Sequence, residues 1–189
     1  MRLLIYGSSD FAPTVIELVR ACGHEAVGLV DDTRPGPEIL GSLEQVTRSH
    51  RPGDYGIALA IGYKNLAGRW LAWLRACEAG YEAPALVHPR AYVADSAYVG
   101  AGSMVMAGAV VDVRATVGEV AVLWPGVCVN HDTSIGANCF LSPNATLCGF
   151  VHLGANSFVG AGAAIADRSE VPPSSFIKML GRYPAGRTK

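Results

Sequence analysis

The chain of 189 residues has little charge, few histidines and no closely paired cysteines, and each shortage excludes a class of protein. Only 16% of the residues are charged and the formal net charge is −1, so the sequence offers no basic surface suited to nucleic acid. The five cysteines include no CxxC pair, and their odd number favours a reducing, cytoplasmic location without a disulfide framework. The apolar runs are too short to cross a membrane.

One period dominates the second half of the chain. Every sixth residue from Val87 to Val171 is a branched aliphatic, and a small residue usually follows it four positions later. This hexapeptide repeat is typical of a parallel β-helix, in which three six-residue units close one triangular coil. The repeat predicts five coils, with the aliphatic side chains inside and residues eighteen apart stacked on one another. Glycines that follow the aliphatics, such as Gly100 and Gly118, are expected to supply positive φ angles at the corners.

The front of the chain lacks this period and alternates predicted strands with predicted helices. Strands are predicted near residues 3–6, 26–30 and 55–62, and helices near 11–22 and 42–48. A third helix is expected to bury the apolar face formed by Leu66, Trp70, Trp73, Leu74 and Cys77. This order predicts a Rossmann-like α/β N-terminal subdomain with a small parallel sheet over residues 1–85. A left-handed parallel β-helix with a C-terminal tail follows over residues 86–189.

Three loops are expected to meet beyond the carboxyl ends of the predicted parallel strands, where such sheets bind ligands. They carry Gly7-Ser8-Ser9, Asp31-Asp32 and Gly62. The first loop could present backbone N–H groups to a phosphate, and the acidic pair could accept hydrogen bonds from a ribose or a base. The strict GxGxxG pattern fails at Asp10 and Ala12, so the glycines could also simply turn the chain while Asp31 caps a loop.

His131 is the histidine best placed for chemistry. It follows the interior aliphatic Val129 by two residues, which places it at an outer corner of a middle coil, and Asp132 comes directly after it. A neighbouring carboxylate can orient an imidazole and raise its basicity. Residues one coil away on either side are Val113 and the small Gly149, which would leave room for a substrate. The alternative is a surface histidine that merely hydrogen-bonds to its neighbour.

Two other regions of the sequence are candidates for a ligand site. A zinc site would need His131 and His152 to stack, but they are twenty-one residues apart and therefore out of register, so no metal is expected. The end of the chain contains Lys178, Arg182, Arg187 and Lys189, and it has no acidic residue after Glu170. This basic tail could hold the phosphates of a coenzyme or could simply be solvated.

The sequence resembles the hexapeptide-repeat sugar acyltransferases of the sialic-acid O-acetyltransferase type, including those that N-acetylate nucleotide-linked amino-deoxy sugars. Nearly the whole chain fits the pattern. The segments that carry the likeness are Leu29-Val30-Asp31-Asp32, Ala60-Ile61-Gly62, His88-Pro89, Asn130-His131-Asp132, Ser142-Pro143-Asn144 and Val171-Pro172-Pro173.

The resemblance implies a role for each candidate residue. It implies that His131 is a general base and that Asp132 supports it, with direct acyl transfer from acetyl-CoA in a ternary complex. It implies a homotrimer with the coenzyme in the groove between adjacent β-helices. Substrate-binding positions would be Gly7, Ser8, Ser9, Asp31, Asp32 and Gly62, and coenzyme-binding positions would be Phe140, Ala161 and Met179.

Other functions remain open on the sequence alone. An O-acetyltransferase acting on a sialic-acid-like sugar would use the same base on a hydroxyl group. A non-catalytic hexapeptide-repeat binding protein would keep the coils and lose the chemistry. The sequence identifies neither the nucleotide (UDP, dTDP or GDP), nor the sugar carbon that carries the nucleophile, nor acetyl rather than another acyl group.

Overall fold

A four-stranded parallel sheet forms the framework of the first part of the chain. In the computed structural model, which describes residues 1–184, the chain divides after Leu86 into two units. The first contains β1 (Arg2–Tyr6), α1 (Ala12–Ala21), β2 (Glu25–Val30), β3 (Ile39–Gly41), α2 (Leu43–Thr47), β4 (Gly56–Leu59), a 3₁₀ turn (Tyr63–Asn65) and α3 (Leu66–Glu78). The strand order is β3-β2-β1-β4. The predicted α/β class with a small parallel sheet is confirmed, and β3 is an edge strand that the sequence did not predict.

Local signals explain where two of these helices begin. The Ser42 side chain accepts a hydrogen bond from the backbone N–H of Gln45, and the Gln45 side chain accepts one from the backbone of Ser42, which is a complete capping box. At α3 the Asn65 side chain accepts a hydrogen bond from the Gly68 backbone. These caps satisfy N–H groups that the first turn of a helix leaves without a partner.

Helix α3 buries a different face from the one that the sequence predicts. A hydropathy pattern weighs leucine above alanine and leaves arginine outside, whereas the buried face of α3, which lies beside β4, combines two alanines with Arg69 and Trp73. The guanidinium of Arg69 lies inside and donates a hydrogen bond to the Ile61 carbonyl over 3.2 Å. The buried residues are Arg69, Ala72, Trp73 and Ala76, while Leu74 and Cys77 of the predicted face are exposed.

The second unit is a left-handed parallel β-helix, as predicted. Up to residue 184, seventeen two-residue strands wind into three parallel sheets of six, five and six strands, and residues eighteen apart pair directly, as Val129 does with Leu147. The strands are β5 (Leu86–Val87), β6 (Tyr92–Val93), β7 (Tyr98–Val99), β8 (Met104–Val105), β9 (Val110–Val111), β10 (Thr116–Val117), β11 (Val122–Leu123), β12 (Cys128–Val129), β13 (Ser134–Ile135), β14 (Phe140–Leu141), β15 (Thr146–Leu147), β16 (His152–Leu153), β17 (Phe158–Val159), β18 (Ala164–Ile165), β19 (Glu170–Val171), β20 (Phe176–Ile177) and β21 (Arg182–Tyr183).

The interior of the coils follows the predicted pattern. Val129, Leu147 and Ile165 are fully buried, and so are most of the small residues between the aliphatics. Where the small residue is a serine or threonine, its hydroxyl bonds to the backbone of the coil. The Thr133 hydroxyl, for example, donates to the Cys148 carbonyl over 2.7 Å and accepts from the Val151 N–H over 3.2 Å. Such bonds satisfy polar atoms that burial would otherwise make costly.

The backbone turns each corner at a residue that was not predicted to do so. Three residues after each aliphatic from Val99 to Ile177, the backbone has a positive φ, in ten non-glycine residues and four glycines at every sixth position. The backbone N–H of these residues often donates to the coil before, as Asp132 does to the Val113 carbonyl over 3.0 Å. The positions are Gly102, Gly108, Arg114, Val120, Gly126, Asp132, Asn138, Asn144, Phe150, Asn156, Gly162, Arg168, Ser174 and Leu180.

The glycines that directly follow the aliphatics have another function, so the prediction that they supply positive φ is wrong. None of them has a positive φ. A Cβ atom on any of them would lie 2.3–2.7 Å from a backbone nitrogen of the next coil, closer than packed atoms allow. They are required by the close approach of one coil to the next. The residues are Gly100, Gly118, Gly136, Gly154 and Gly160.

Replacing one of these glycines should therefore loosen the stack. We expect Gly136→Ala, whose Cβ would lie 2.5 Å from the Ala155 nitrogen, to lower the free energy of unfolding by about 1–3 kcal/mol in urea titrations. Gly36→Ala is the matched control, because its Cβ would meet no atom closer than 3.5 Å. Equal urea midpoints for the two variants would contradict the claim that the close approach of the next coil requires glycine at position 136.

Candidate active site

His131 lies at the corner between β12 and β13, where its side chain is 48% exposed. Its Nδ1 atom is 2.9 Å from Oδ2 of Asp132. Asp132 adopts the left-handed conformation with a φ of 58°. At this turn of the backbone its carboxylate lies close to the imidazole of the preceding residue. The predicted outward position of His131 is where the structure places it.

Arg114 holds the Asp132 carboxylate from the coil before. Its Nε donates to Oδ1 over 2.6 Å and its Nη2 donates to Oδ2 over 2.9 Å, which is a bidentate pair. The hydrogen bond from Arg114, and then the one from His131, lowers the pKa of Asp132 to about 2. An ionised carboxylate only accepts hydrogen bonds, so Nδ1 of His131 carries the proton. In the neutral imidazole, Nε2 then has the free lone pair.

An aromatic ring and a second arginine complete the surroundings of the imidazole. The ring of Phe150 meets the His131 ring edge to face with centroids 5.2 Å apart. The guanidinium carbon of Arg168 lies over the Phe150 ring, 4.2 Å from its centroid. Phe150 is half-buried in this stack. The signal that sequence reasoning missed is one column of residues eighteen apart, formed by Arg114, Asp132, Phe150 and Arg168.

The three predicted loops of the N-terminal unit do meet at the carboxyl ends of its strands. Ser8 donates to Oδ2 of Asp31 from both its backbone and its hydroxyl, over 3.0 and 2.6 Å. The Ser9 hydroxyl donates to the Ala60 carbonyl, two residues before Gly62, over 3.3 Å. Gly7 has a φ of +116°, and a Cβ there would lie 2.8 Å from the Ala60 oxygen, so glycine is required. Gly62 meets no such restriction.

The two carboxylates between these loops bind the protein itself. Oδ1 of Asp31 accepts hydrogen bonds from Thr33 and from the Arg34 backbone, in addition to the bonds of Oδ2 with Ser8. Burial raises the pKa of Asp31, but these hydrogen bonds outweigh it and lower the pKa to about 2. Asp31 thus orders the loop around Ser8 and has little capacity left for a ligand.

Asp32 is similarly engaged. Its carboxylate accepts hydrogen bonds from the Tyr6 hydroxyl and from the Leu43 backbone, and it lies 3.2 Å from Nη1 of Arg75. Burial and the bond to Asp32 raise the pKa of Tyr6, so the phenol keeps its proton. Direct contact of either aspartate with a ribose or base stays a prediction.

The predicted coenzyme positions lie away from His131. Phe140 points outward from β14 but is only 3% exposed, and its ring packs between those of Trp124 and Phe158. Ala161 and Met179 are eighteen residues apart at the corner that follows β17 and β20, where Ala161 is half-buried and Met179 is exposed. Within the chain, the sheet that contains β12 and β15 separates this corner from the corner of His131.

Three further features of residues 1–184 bear on metals, membranes and the basic tail. No group of three or more histidine, cysteine, aspartate or glutamate side chains is placed to hold a metal ion. No helix in this range is long and apolar enough to span a membrane. Lys178 and Arg182 are exposed, whereas Arg187 and Lys189 lie outside the described residues.

Asp31 makes stability depend on pH in a predictable direction. Its folded-state pKa of about 2 lies below the ordinary 3.8, so its contribution is present above about pH 4 and is lost as the pH falls toward 2. We expect Asp31→Asn to be less stable than the wild type at neutral pH and the difference to shrink in acid, in urea titrations at several pH values. Asp54→Asn, at an exposed aspartate, is the control. A difference that stays constant from pH 7 to 2 would refute the assignment.

Two family models match the chain. The model of the PglD N-terminal domain matches residues 2–74, and the bacterial transferase hexapeptide model matches residues 114–149 and 132–167. Together they span more than half of the chain. No curated protein matches the sequence significantly.

Solved structures match over almost the full length. The acetyltransferase domain of PglB from Neisseria gonorrhoeae, in complex with acetyl coenzyme A, is 28% identical with a TM-score of 0.85, covering 98% of this chain and 93% of that chain. A variant of perosamine N-acetyltransferase from Caulobacter crescentus, with CoA and GDP-perosamine, is 28% identical with a TM-score of 0.88, covering 97% and 89%. WeeI from Acinetobacter baumannii, at 19% identity and a TM-score of 0.74 over 98% and 95%, shares the fold. The chain therefore carries a PglD-type N-terminal domain followed by bacterial transferase hexapeptide repeats, which confirms the resemblance, and it is an acetyltransferase.

Proposed function

We propose that this acetyltransferase moves the acetyl group of acetyl-CoA to the amino group of a nucleotide-linked amino-deoxy sugar, with His131 as the general base. One observation carries the proposal. Asp132 binds Nδ1 of an exposed imidazole and, being ionised, leaves Nε2 as a proton acceptor at the surface. The solved structures named above supply the substrate class, because one holds acetyl coenzyme A and another holds CoA with GDP-perosamine.

The proposed transfer is direct. Nε2 of His131 takes a proton from the sugar ammonium, and the resulting amine attacks the thioester carbonyl. A backbone N–H in the groove stabilises the oxyanion. The carbon–sulfur bond then breaks, and the second proton of the nitrogen ends on the sulfur of CoA. Asp132, held by Arg114, stabilises the imidazolium formed in the first step.

A covalent acyl-cysteine intermediate is less well supported by the chain. Cys128 lies on β12, just before His131, and is the nearest thiol in sequence. Its pKa is raised, first by burial and then by the negative charge of Asp112. Since the thiolate is the nucleophile, a thiol that keeps its proton is poorly activated. Direct attack by the amine avoids this step.

The loops of the N-terminal unit are proposed to hold the nucleotide part of the acceptor. Gly7, Ser8 and Ser9 come directly before helix α1, where backbone N–H groups and the helix dipole favour a phosphate. Asp31 is proposed to act mainly by ordering Ser8, since its oxygens are engaged within the protein. Gly62 and Asp32 are the remaining loop positions at this edge of the sheet.

The acetyl-CoA site is proposed to lie between two copies in a homotrimer. His131 occupies one corner of the coils and Ala161 with Met179 occupies another, which favours a coenzyme held between two copies. The corner of Ala161 also presents the exposed cation Lys178, which suits the phosphates of the coenzyme. The buried Phe140 is proposed to support this face by packing rather than by direct contact.

Removing the imidazole tests the proposed base. His131→Ala should lower kcat by a factor of about 10²–10⁴, as expected for loss of proton-transfer catalysis, in a thiol-release assay with acetyl-CoA. The acceptors are GDP-, UDP- and dTDP-linked 4-amino sugars, beginning with GDP-perosamine. His152→Ala is the matched control, because it removes a similarly exposed histidine from the adjacent face. Normal turnover by His131→Ala would show that the base is another group.

Mixed trimers test the shared site. His131→Ala and Ala161→Trp should each be inactive alone, the first for lack of the base and the second because the indole fills the groove. Co-expressed in equal amounts, they should recover about a quarter of the wild-type activity, since each trimer containing both chains has one intact interface. No recovery from mixtures that sediment as trimers would place both residues in the same copy, and a monomer at micromolar concentration would contradict the shared site.

A further inference from the structure

A second column of residues runs along the same corner beside Asp132. Its members are Asp95, Val113, His131, Gly149 and Asp167, each eighteen residues from the next. Gly149 is buried, whereas His131 and Asp167 on either side of it have side chains that are 48% and 57% exposed. The column therefore places an exposed imidazole and an exposed carboxylate on two sides of the buried Gly149.

The imidazole and the carboxylate converge over this glycine. A Cβ atom on Gly149 would lie 2.9 Å from Nε2 of His131 and 3.1 Å from Oδ1 of Asp167. The two atoms are thus at most about 6 Å apart, because both distances are measured to the same point. Nδ1 of the imidazole is bonded to Asp132, and Oδ2 of Asp167 pairs with Arg168 over 3.3 Å. The atoms that face Gly149 are the acceptors left for a ligand.

We propose that Asp167 binds the ammonium group of the acceptor sugar beside His131 and thereby selects an amine over a hydroxyl as the nucleophile. The inference rests on the function proposed above. Two acceptors less than about 6 Å apart can both be reached by one nitrogen that carries several N–H donors at ordinary hydrogen-bond lengths. A hydroxyl group has a single donor and satisfies only one of the two. The second acceptor would then lose its hydrogen bond to water without replacement.

In the proposed reaction, Asp167 keeps its hydrogen bond to the sugar nitrogen during the proton transfer. The ammonium donates one N–H to Asp167 and another to Nε2 of His131, which takes that proton. The neutral amine keeps its bond to Asp167, which orients the freed lone pair for attack on the thioester. After the carbon–sulfur bond breaks, the nitrogen gives up one more proton, which ends on the CoA sulfur, and the product amide keeps one N–H. Asp167 binds and orients throughout and exchanges no proton.

Substitution of Asp167 tests the proposal. With the best amino-sugar acceptor of the panel above, Asp167→Asn should raise KM by about tenfold to 100-fold, the loss expected for a hydrogen bond to a charged group. The counterpart that carries a hydroxyl in place of the amine should inhibit the wild type and the variant equally. Asp95→Asn is the matched control, because Asp95 is an exposed aspartate in the same column two coils before His131. It should behave like the wild type.

Gly149→Ala gives a second, steric test of the arrangement of His131 and Asp167. The added methyl should displace both exposed side chains without disturbing the coil backbone, so activity should fall while the urea midpoint stays near that of the wild type. An unchanged KM for Asp167→Asn, or an equal loss of affinity for the hydroxyl counterpart, would overturn the role of Asp167 alone. Absence of turnover by the wild type with every amino sugar would instead overturn the proposed function.

Discussion

Hydrogen bonding between successive coils at a spacing of eighteen residues is the constraint on which the second unit depends. Each strand pairs with the strands one coil before and after, and a left-handed residue at every sixth position turns the chain between strands. Most of these residues are not glycine, and Val120 is β-branched, so the conformation is costly in isolation. It persists because the backbone N–H groups of these residues donate hydrogen bonds to the preceding coil, as Val120 does to the Ala101 carbonyl.

The same constraint builds the candidate site from columns. Arg114, Asp132, Phe150 and Arg168 stack along one line, and His131 leans from the neighbouring line against two of them. Arg114 and Asp132 are neighbours of opposite charge in this stack, so the carboxylate that orients the imidazole is itself fixed by a guanidinium. The loops at the N-terminal sheet use a related device: Asp31 collects hydrogen bonds from Ser8, Thr33 and Arg34 and holds the loop in shape. In both places a carboxylate organises the groups around it.

The sequence predicted the parts of the structure that depend on period and on local signals. The inside positions of the coils, the outward corner of His131 and the position of α2 follow from spacing and residue type. Strand β3 was missed because three residues at a sheet edge carry too little pattern. The buried face of α3 was misassigned because Arg69 occupies an interior position that a hydropathy pattern reserves for apolar side chains. Arg114 was missed because its role appears only once the column through Asp132 is drawn.

The coil geometry also limits how the length of such a chain can change. Deleting eighteen residues from the stack removes one full turn and returns every later side chain to its former face. Deleting six leaves each aliphatic inside but rotates all later residues by one side of the prism, so an imidazole beyond the deletion would leave its corner. A single-residue deletion would point the interior aliphatics away from the core. Related chains that keep this geometry should therefore differ in length by whole turns, or by loops inserted between hexads.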